Sequence, residues 1–117
     1  MQPSGLHHVS INVPDVSAAE RFYVDVLGLR RRSDRPDFGF GGAWLDAGEQ
    51  QVHLIEAPAG DGRGQHFALT VTDLDAALAE LRAAGIEVGD PSPVGRGRQA
   101  FLTDPGGNLV ELHQPST

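Results

Sequence analysis

The chain has 117 residues, no cysteine and a formal net charge of −7 with the histidines neutral, which suits one domain with a single core and excludes a disulfide framework or a thiolate site. The negative charge opposes binding to nucleic acid or anionic lipid, and no apolar run approaches the roughly 18 residues that span a bilayer. We therefore expect a soluble, cytoplasmic protein whose partners are small molecules, with no nucleic acid and no membrane among them.

The first half of the sequence predicts a β-α-β-β-β unit. Residues 6–13 alternate apolar and polar side chains, as a half-buried strand does, and Ser17 and Glu20 have the spacing of a capping box at a helix start. The helix is expected to run to about Leu27 and to end at Gly28. Three strands follow, at residues 29–33, 43–46 and 51–56, with a glycine-rich loop at 34–42 between the first two.

The second half predicts the same order of elements after a flexible linker at residues 58–64. Asp104-Pro-Gly-Gly107 is a strong turn signal because Pro fixes one backbone angle and Gly permits a positive one. The predicted elements are a strand at 66–71, a helix at 75–84 ending at Gly85, a short strand at 86–88, a loop at 91–97 and a closing hairpin of strands at 99–104 and 108–113.

An internal repeat relates the two halves and singles out four residues. His8 lies 45 positions before His53, and His66 lies 45 positions before Glu111, with similar neighbours around each pair. The sequence therefore predicts one domain over residues 1–117, made of repeat units at 6–57 and 65–114. The expected class is α+β, with two tandem βαβββ units forming a curved mixed sheet and the helices on its outer face.

The polar faces of the predicted strands suggest a metal site. If each helix covers the apolar face of its sheet, the polar face stays open, and pseudo-twofold symmetry would bring His8, His53, His66 and Glu111 to a common hollow. Three imidazoles and a carboxylate suit one divalent ion of Zn, Ni, Co, Mn or Fe(II). Octahedral coordination would leave two positions for substrate, whereas a closed tetrahedral zinc site would leave none.

The motifs resemble those of a known family. His8-Val-Ser-Ile-Asn-Val-Pro-Asp15, followed by Phe22-Tyr23 and Leu27-Gly28, is similar to the opening of the vicinal oxygen chelate superfamily, which includes glyoxalase I, bleomycin-resistance proteins and extradiol dioxygenases. The segment from Asp104 to Leu112 resembles the last hairpin of that family. The resemblance implies that the four repeat-related residues stand where relatives place metal ligands, and that the chain forms a homodimer.

The resemblance leaves three functions open. The first is a glyoxalase-type lyase or isomerase, in which the metal chelates a small hydroxy-carbonyl substrate, stabilises an enediolate, and Glu111 moves the proton. The second is an Fe(II)-dependent extradiol dioxygenase, which would use His8, His66 and Glu111. The third is a non-catalytic, drug-binding protein of the bleomycin-resistance type, which the acidic charge would suit and which generally lacks the ligand set.

Several other residues are candidates for substrate contacts. Trp44 and Phe101 could line a pocket, although aromatic residues in strands more often pack in a core. Arg98 could hold a carboxylate or phosphate through forked hydrogen bonds, although it could equally be a solvated loop charge. Asn12 and Ala57 stand where bacterial-type glyoxalase I carries the Arg and Asn that bind glutathione, which argues against glutathione and leaves Asn12 as a candidate contact. His7 and His113 are assigned no role.

Overall fold

The computed structural model describes residue 2 and residues 4–60 and 64–116. The chain consists of two compact units, Met1–Gly60 and Asp61–Thr117. The boundary between them falls within the predicted linker at 58–64, of which residues 61–63 lie outside the described part of the chain.

The first unit contains a four-stranded sheet and one helix. The helix begins as an ordinary α-helix and continues as a wider, π-helical segment over Arg21–Val26. Its elements in chain order are β1 (His8–Val13), α1 (Val16–Glu20), the π-helical segment, β2 (Arg30–Arg31), β3 (Gly42–Ala47) and β4 (Gln50–Glu56).

The second unit has the same order of elements. They are β5 (His66–Thr70), α2 (Leu74–Ala83), β6 (Ser92–Val94), β7 (Gly97–Thr103) and β8 (Leu109–Gln114).

The two sheets also share one topology. Their strand orders are β1-β4-β3-β2 and β5-β8-β7-β6. In each sheet the first and last strands of the unit pair in parallel, and the other pairs are antiparallel. The predicted α+β class with two βαβββ units is therefore confirmed, and the predicted mixed sheet is present as one four-stranded sheet in each unit.

Each helix packs its apolar stripe against one face of its own sheet, because both surfaces are amphipathic and bury each other. In unit 1, Phe22 and Tyr23 are buried with Leu45 and Leu54 of the central strands. In unit 2, the helix residues Leu74, Leu78 and Leu81 are buried with Ala100, Leu102, Val110 and Leu112. Each unit thus has an apolar core between its helix and its sheet, while its opposite sheet face is open for polar side chains.

Both helices begin slightly earlier than predicted: the cap of α1 lies two residues before Ser17, and α2 begins one residue before the predicted position 75. Asp15 is the N-cap of α1 and its Oδ1 accepts a hydrogen bond from the Ala18 amide at 3.0 Å. Asp73 does the same for α2, accepting from the Ala76 amide at 3.0 Å. The assignment of Ser17 as the cap was wrong because an aspartate two residues earlier satisfies the same orphan amide groups.

The second unit departs from the repeat before β7. The predicted strand at residues 86–88 is absent, and Ser92–Val94, predicted as loop, forms β6. Val94 pairs with Gly97, and the turn between them contains Gly95 at a φ of +55°, a conformation that glycine adopts readily. This tight turn folds residues 92–94 back onto β7. The strand was not predicted because Pro and Gly residues are typical of loops.

No helix in the described part of the chain is both long and apolar enough to cross a membrane.

The capping role of Asp73 can be tested by mutation. Replacing Asp73 with Ala leaves the Ala76 amide without its side-chain acceptor and should lower the free energy of unfolding by about 1 kcal/mol. The measurement is denaturant unfolding followed by circular dichroism. Glu80→Ala, an exposed change within the same helix, is the control and should change stability by less than about 0.5 kcal/mol. An equal effect of both changes would contradict the assignment.

Candidate functional site

Strand alternation places the predicted site residues of unit 1 on the open face of its sheet. His8 and Ser10 are exposed on β1, and Ser10 lies beside His53 of β4. Trp44 of β3 lies on the other side of His53 in the strand register. The three neighbouring strands therefore present His8, His53 and Trp44 together, because residues at matching register positions point to the same face.

The His53 imidazole lies between two other rings. The His8 ring stacks on it at a centroid distance of 4.0 Å and an interplanar angle of 11°. The Trp44 ring stacks at 4.5 Å and 12°. His53 is consequently only 8% exposed although its strand face is open.

This environment lowers the pKa of His53 below its ordinary value of 6.5. Burial contributes most, because it disfavours the charged imidazolium, and the neighbouring imidazoles of His8 and His7 act in the same direction. The guanidinium groups of Arg32 and Arg35 contribute further. A neutral imidazole is the form in which histidine binds a metal ion.

Polar neighbours engage one nitrogen of each imidazole in unit 1. The Nε2 of His53 lies 2.8 Å from Oε1 of Gln51, which accepts its proton and leaves Nδ1 as the lone-pair nitrogen. The Nδ1 atoms of His7 and His8 are 2.9 Å apart. Gln51 was not predicted as a site residue, although its position two residues before His53 puts it on the same face.

In unit 2, the carboxylate of Glu111 is held between two imidazoles. Its Oε1 lies 3.1 Å from Nε2 of His66, and its Oε2 lies 2.9 Å from Nδ1 of His113. Glu111 is 8% exposed, so these contacts replace most of its hydration. The prediction had assigned His113 no role; its side chain contacts Glu111 because residues two apart on β8 share a face.

The hydrogen bonds of His66 determine its tautomer. Its Nδ1 lies 2.9 Å from the carbonyl oxygen of Gly64. A carbonyl can only accept, so Nδ1 carries a proton and Nε2 of the neutral ring carries a lone pair. That lone pair faces the Glu111 carboxylate at 3.1 Å. Two electron-rich atoms at this distance require a positive centre between them, which is either a proton or a metal ion.

An aromatic residue accompanies the pair in unit 2 as well. Phe101 lies opposite Glu111 in the register of β7 and β8, as Trp44 lies opposite His53. Its ring meets the His66 ring edge to face at 5.3 Å and 81°. Trp44 and Phe101 are both half-buried and lie beside predicted ligands rather than in the apolar cores.

The other two predicted substrate contacts differ in placement. Asn12 is exposed on β1 and shares the face of His8 by alternation. The guanidinium of Arg98 instead donates to both carboxylate oxygens of Asp75, at 3.1 and 3.0 Å, near the start of α2. This pairing raises the pKa of Arg98 and lowers that of Asp75. The structure therefore does not bring Arg98 together with His66 and Glu111, because β7 directs it to the opposite face from Phe101.

The residues of each unit can be compared with the needs of a divalent ion. Within the described ranges, no three His, Cys, Asp or Glu side chains form a group that could hold a metal. The pair in unit 2 fits: the 3.1 Å between Nε2 and Oε1 suits two adjacent ligands with bonds of about 2.0–2.2 Å, and His66 has the second hydrogen bond to a carbonyl that orients ligating histidines.

His8 and His53 of unit 1 have the right chemistry to bind a divalent ion, but their rings are stacked on each other. Imidazole binds a metal through a lone pair in the ring plane, and the His8 and His53 planes are nearly parallel, 4.0 Å apart between centroids. At least one ring would have to turn about its side-chain torsions for both to reach one ion.

Comparison with known proteins gives related sequences of several activities. The chain is 30% identical over 122 residues to a lactoylglutathione lyase of Arabidopsis thaliana, covering 92% of this chain but only 43% of that protein. It is 28% identical over 128 residues to the mitochondrial methylmalonyl-CoA epimerase of Mus musculus, covering 93% and 72%. The chain thus spans less than half the length of the plant lyase. Its relatives include both lyase and epimerase enzymes.

A solved structure matches over nearly the full length. TnmS3, an antibiotic binding protein from Streptomyces sp. CB03234, has a TM-score of 0.85 and 30% sequence identity, covering 99% of each chain. The family model for the Glyoxalase/Bleomycin resistance protein/Dioxygenase superfamily matches residues 5–112. This match takes in both sheets and all four residues that the repeat singled out, and the chain belongs to this superfamily.

Proposed function

We propose that the protein is a divalent-metal-dependent lyase or isomerase of the glyoxalase type, acting on a small hydroxy-carbonyl substrate. Its ligands would be His8, His53, His66 and Glu111, supplied by the two units of one chain or by units of two chains in a homodimer.

The observation that carries this proposal is the contact between His66 and Glu111. The Gly64 carbonyl fixes a proton on Nδ1 of His66, and Nε2 of the same ring faces a carboxylate oxygen at 3.1 Å, a separation that one shared proton or one divalent ion can bridge. The same carboxylate is 8% exposed, and an ion bound to both atoms would stabilise it without full hydration.

The proton-transfer role falls to Glu111. Its Oε2 accepts a hydrogen bond from His113 at 2.9 Å, which holds the carboxylate plane while Oε1 lies at the site. A carboxylate in this position can take a proton from a carbon next to a carbonyl and return it to the neighbouring carbon or oxygen. A bound divalent ion would supply a Lewis acid for the negative charge that develops on the substrate oxygens.

The aromatic side chains would restrict access of water to the site. Trp44 covers one face of His53, and Phe101 meets the edge of His66. Both rings leave an apolar surface beside a polar set, which strengthens electrostatic interactions by lowering the local dielectric.

A metal assay tests the ligand set. Protein purified without an affinity tag under metal-replete conditions should contain on the order of one divalent ion per set of four ligands, measured by elemental analysis. His66→Ala and His8→Ala should each lose it, because each removes a ligand. Glu80→Ala, an exposed change on α2, is the control and should retain it. Retention by His66→Ala would contradict the ligand assignment.

The same variants show which chains supply the ligands. When His8→Ala and His66→Ala proteins are unfolded, mixed and refolded together, a site shared between chains regains metal, since one combination of units is intact. A site within one chain regains none.

The catalytic role of Glu111 can be tested separately. Glu111→Gln keeps the shape of the side chain but removes the base, so exchange of the proton next to the carbonyl should fall by at least about 100-fold. The measurement is deuterium incorporation in D2O, followed by NMR, with a set of α-hydroxy-carbonyl substrates. Glu80→Gln, an exposed helix position, serves as the control and should leave exchange unchanged. Undiminished exchange in Glu111→Gln would show that another group is the base.

A second candidate is a non-catalytic binding protein, favoured by the 30% identity with TnmS3 over 99% of both chains. Stoichiometric binding of a small molecule by protein that takes up no metal would favour this candidate over the enzyme.

A further inference from the structure

The two units differ most between their second and third strands. In unit 2, Gly95 and Arg96 form a tight turn between β6 and β7. In unit 1 the corresponding connection is a long loop, residues 32–41, between β2 and β3. The loop of unit 1 thus stands where unit 2 has a tight turn, and surface loops of this kind often carry binding residues.

The loop exposes two aromatic rings beside the site face. Phe38 and Phe40 are 49% and 50% exposed, and their rings stack at 5.6 Å between centroids. The Phe38 ring lies 6.1 Å from that of Trp44, which in turn stacks on His53. A row of rings therefore leads from the loop to a predicted metal ligand. Large apolar side chains grouped at a surface commonly mark a binding site.

A cation is held against these rings. The Cζ atom of Arg35 lies 5.1 Å from the centroid of Phe38 and 5.6 Å from that of Phe40. Its Nη2 donates to the Phe40 carbonyl at 3.0 Å. These contacts fix the guanidinium in place and use only one of its five N–H donors in a hydrogen bond. The remaining donors bond to no other residue in the described part of the chain and can serve a ligand.

Charge distribution supports an anionic ligand at this position. Among the described residues no carboxylate lies within ion-pair distance of Arg35, although the chain has 16 acidic and only 9 basic residues. Ion pairs engage Arg31, Arg32, Arg82 and Arg98. Arg35 is thus a positioned guanidinium whose donors can bind a carboxylate in the forked geometry that suits it.

The strand beneath is shaped to admit this guanidinium. A Cβ atom on Gly42 would lie 2.8 Å from Nη2 of Arg35 and would also meet the Leu54 carbonyl. Only glycine permits this approach, since a larger residue would displace both neighbours.

We propose that Arg35, Phe38, Phe40 and Trp44 form a binding site for the planar, conjugated part of a hydroxy-carbonyl substrate and for a carboxylate attached to that part. The planar part stacks on the rings, and the carboxylate binds Arg35. Any reaction of the bound compound depends on the proposed lyase or isomerase function, because the inference names the substrate class of that same site. Binding itself needs no metal and is tested without one.

The probe is 2-naphthoate, titrated into chelator-treated protein and measured by calorimetry. Trp44 is the only tryptophan in the chain, so its indole N–H resonance in NMR shows whether the probe binds beside it. We expect this resonance to shift, and we expect 2-naphthalenemethanol, cyclohexanecarboxylate and 2-naphthylmethylammonium to bind at least about tenfold more weakly, because each lacks the planar anion. Equal or tighter binding of the cationic analogue would overturn the proposal.

Variants test the two parts of the site. Arg35→Gln should weaken 2-naphthoate about tenfold while leaving the alcohol unchanged, since a charge-assisted fork is lost. Phe40→Leu should weaken both planar probes, because both lose the same stacking surface. Arg21→Gln, another exposed arginine, is the matched control and should bind as the unmodified protein does. Unchanged 2-naphthoate binding in Arg35→Gln would overturn the proposal.

The outcome is separable from that of the metal assay. If His66→Ala loses metal and still binds 2-naphthoate, both the ligand set and the carboxylate site are supported. Loss of binding in Arg35→Gln together with a metal-free native protein supports this site but removes the lyase proposal. Intact metal uptake with no 2-naphthoate binding overturns only the present inference.

Discussion

The division of each sheet into one apolar and one polar face is the constraint on which the site depends. A helix buries the apolar face, with Tyr23 in unit 1 and Leu74 in unit 2 fully buried against it. Strand alternation then leaves every second side chain on the other face. His53 and Glu111 are central-strand residues on that face, so neighbouring strands as well as their own surround them. A one-residue shift of register would exchange them with core residues.

The two half-sites achieve burial of polar groups in different ways. His53 is covered by stacked rings, and burial lowers its pKa and favours the neutral form. Glu111 is covered by hydrogen-bonding imidazoles on both oxygens. The repeat thus keeps a polar side chain at the equivalent position of each sheet while changing what surrounds it. In the proposed site, the Glu111 carboxylate would accept a proton and the His53 imidazole would bind the ion in its neutral form.

Sequence reasoning predicted the fold and the pairing of residues because both follow from periodicity. The spacing of 45 positions that recurs in both halves identified His66 and Glu111, which the structure brings into contact. Strand alternation also places Gln51 on the face of His53 and His113 on the face of Glu111. The sequence gives no signal, however, of what an isolated polar residue in a strand contacts. Arg98 shows the opposite problem, since its partner Asp75 lies 23 residues away in sequence and on another element.

The remaining errors have local causes. The helix cap was assigned to Ser17 because a capping box is a common pattern, whereas Asp15 offers an equally good acceptor two residues earlier. β6 was missed because Pro93 and the glycines around it are typical of loops. In that segment the pairing with β7 outweighs local preference, as tertiary contacts often do in strands. The glycine-rich loop of unit 1 was predicted from its composition, which cannot show that its rings stack.

The parallel pairing of the first and last strands in each unit has a consequence for how the chain acquires its structure. β1 has no partner other than β4, and β5 none other than β8, within the described sheets. Such contacts join distant points of the chain, giving a high contact order, and they cannot form until the unit's last strand has left the ribosome. β1 with His8 and β5 with His66 therefore stay unpaired while almost the whole of their unit is synthesised.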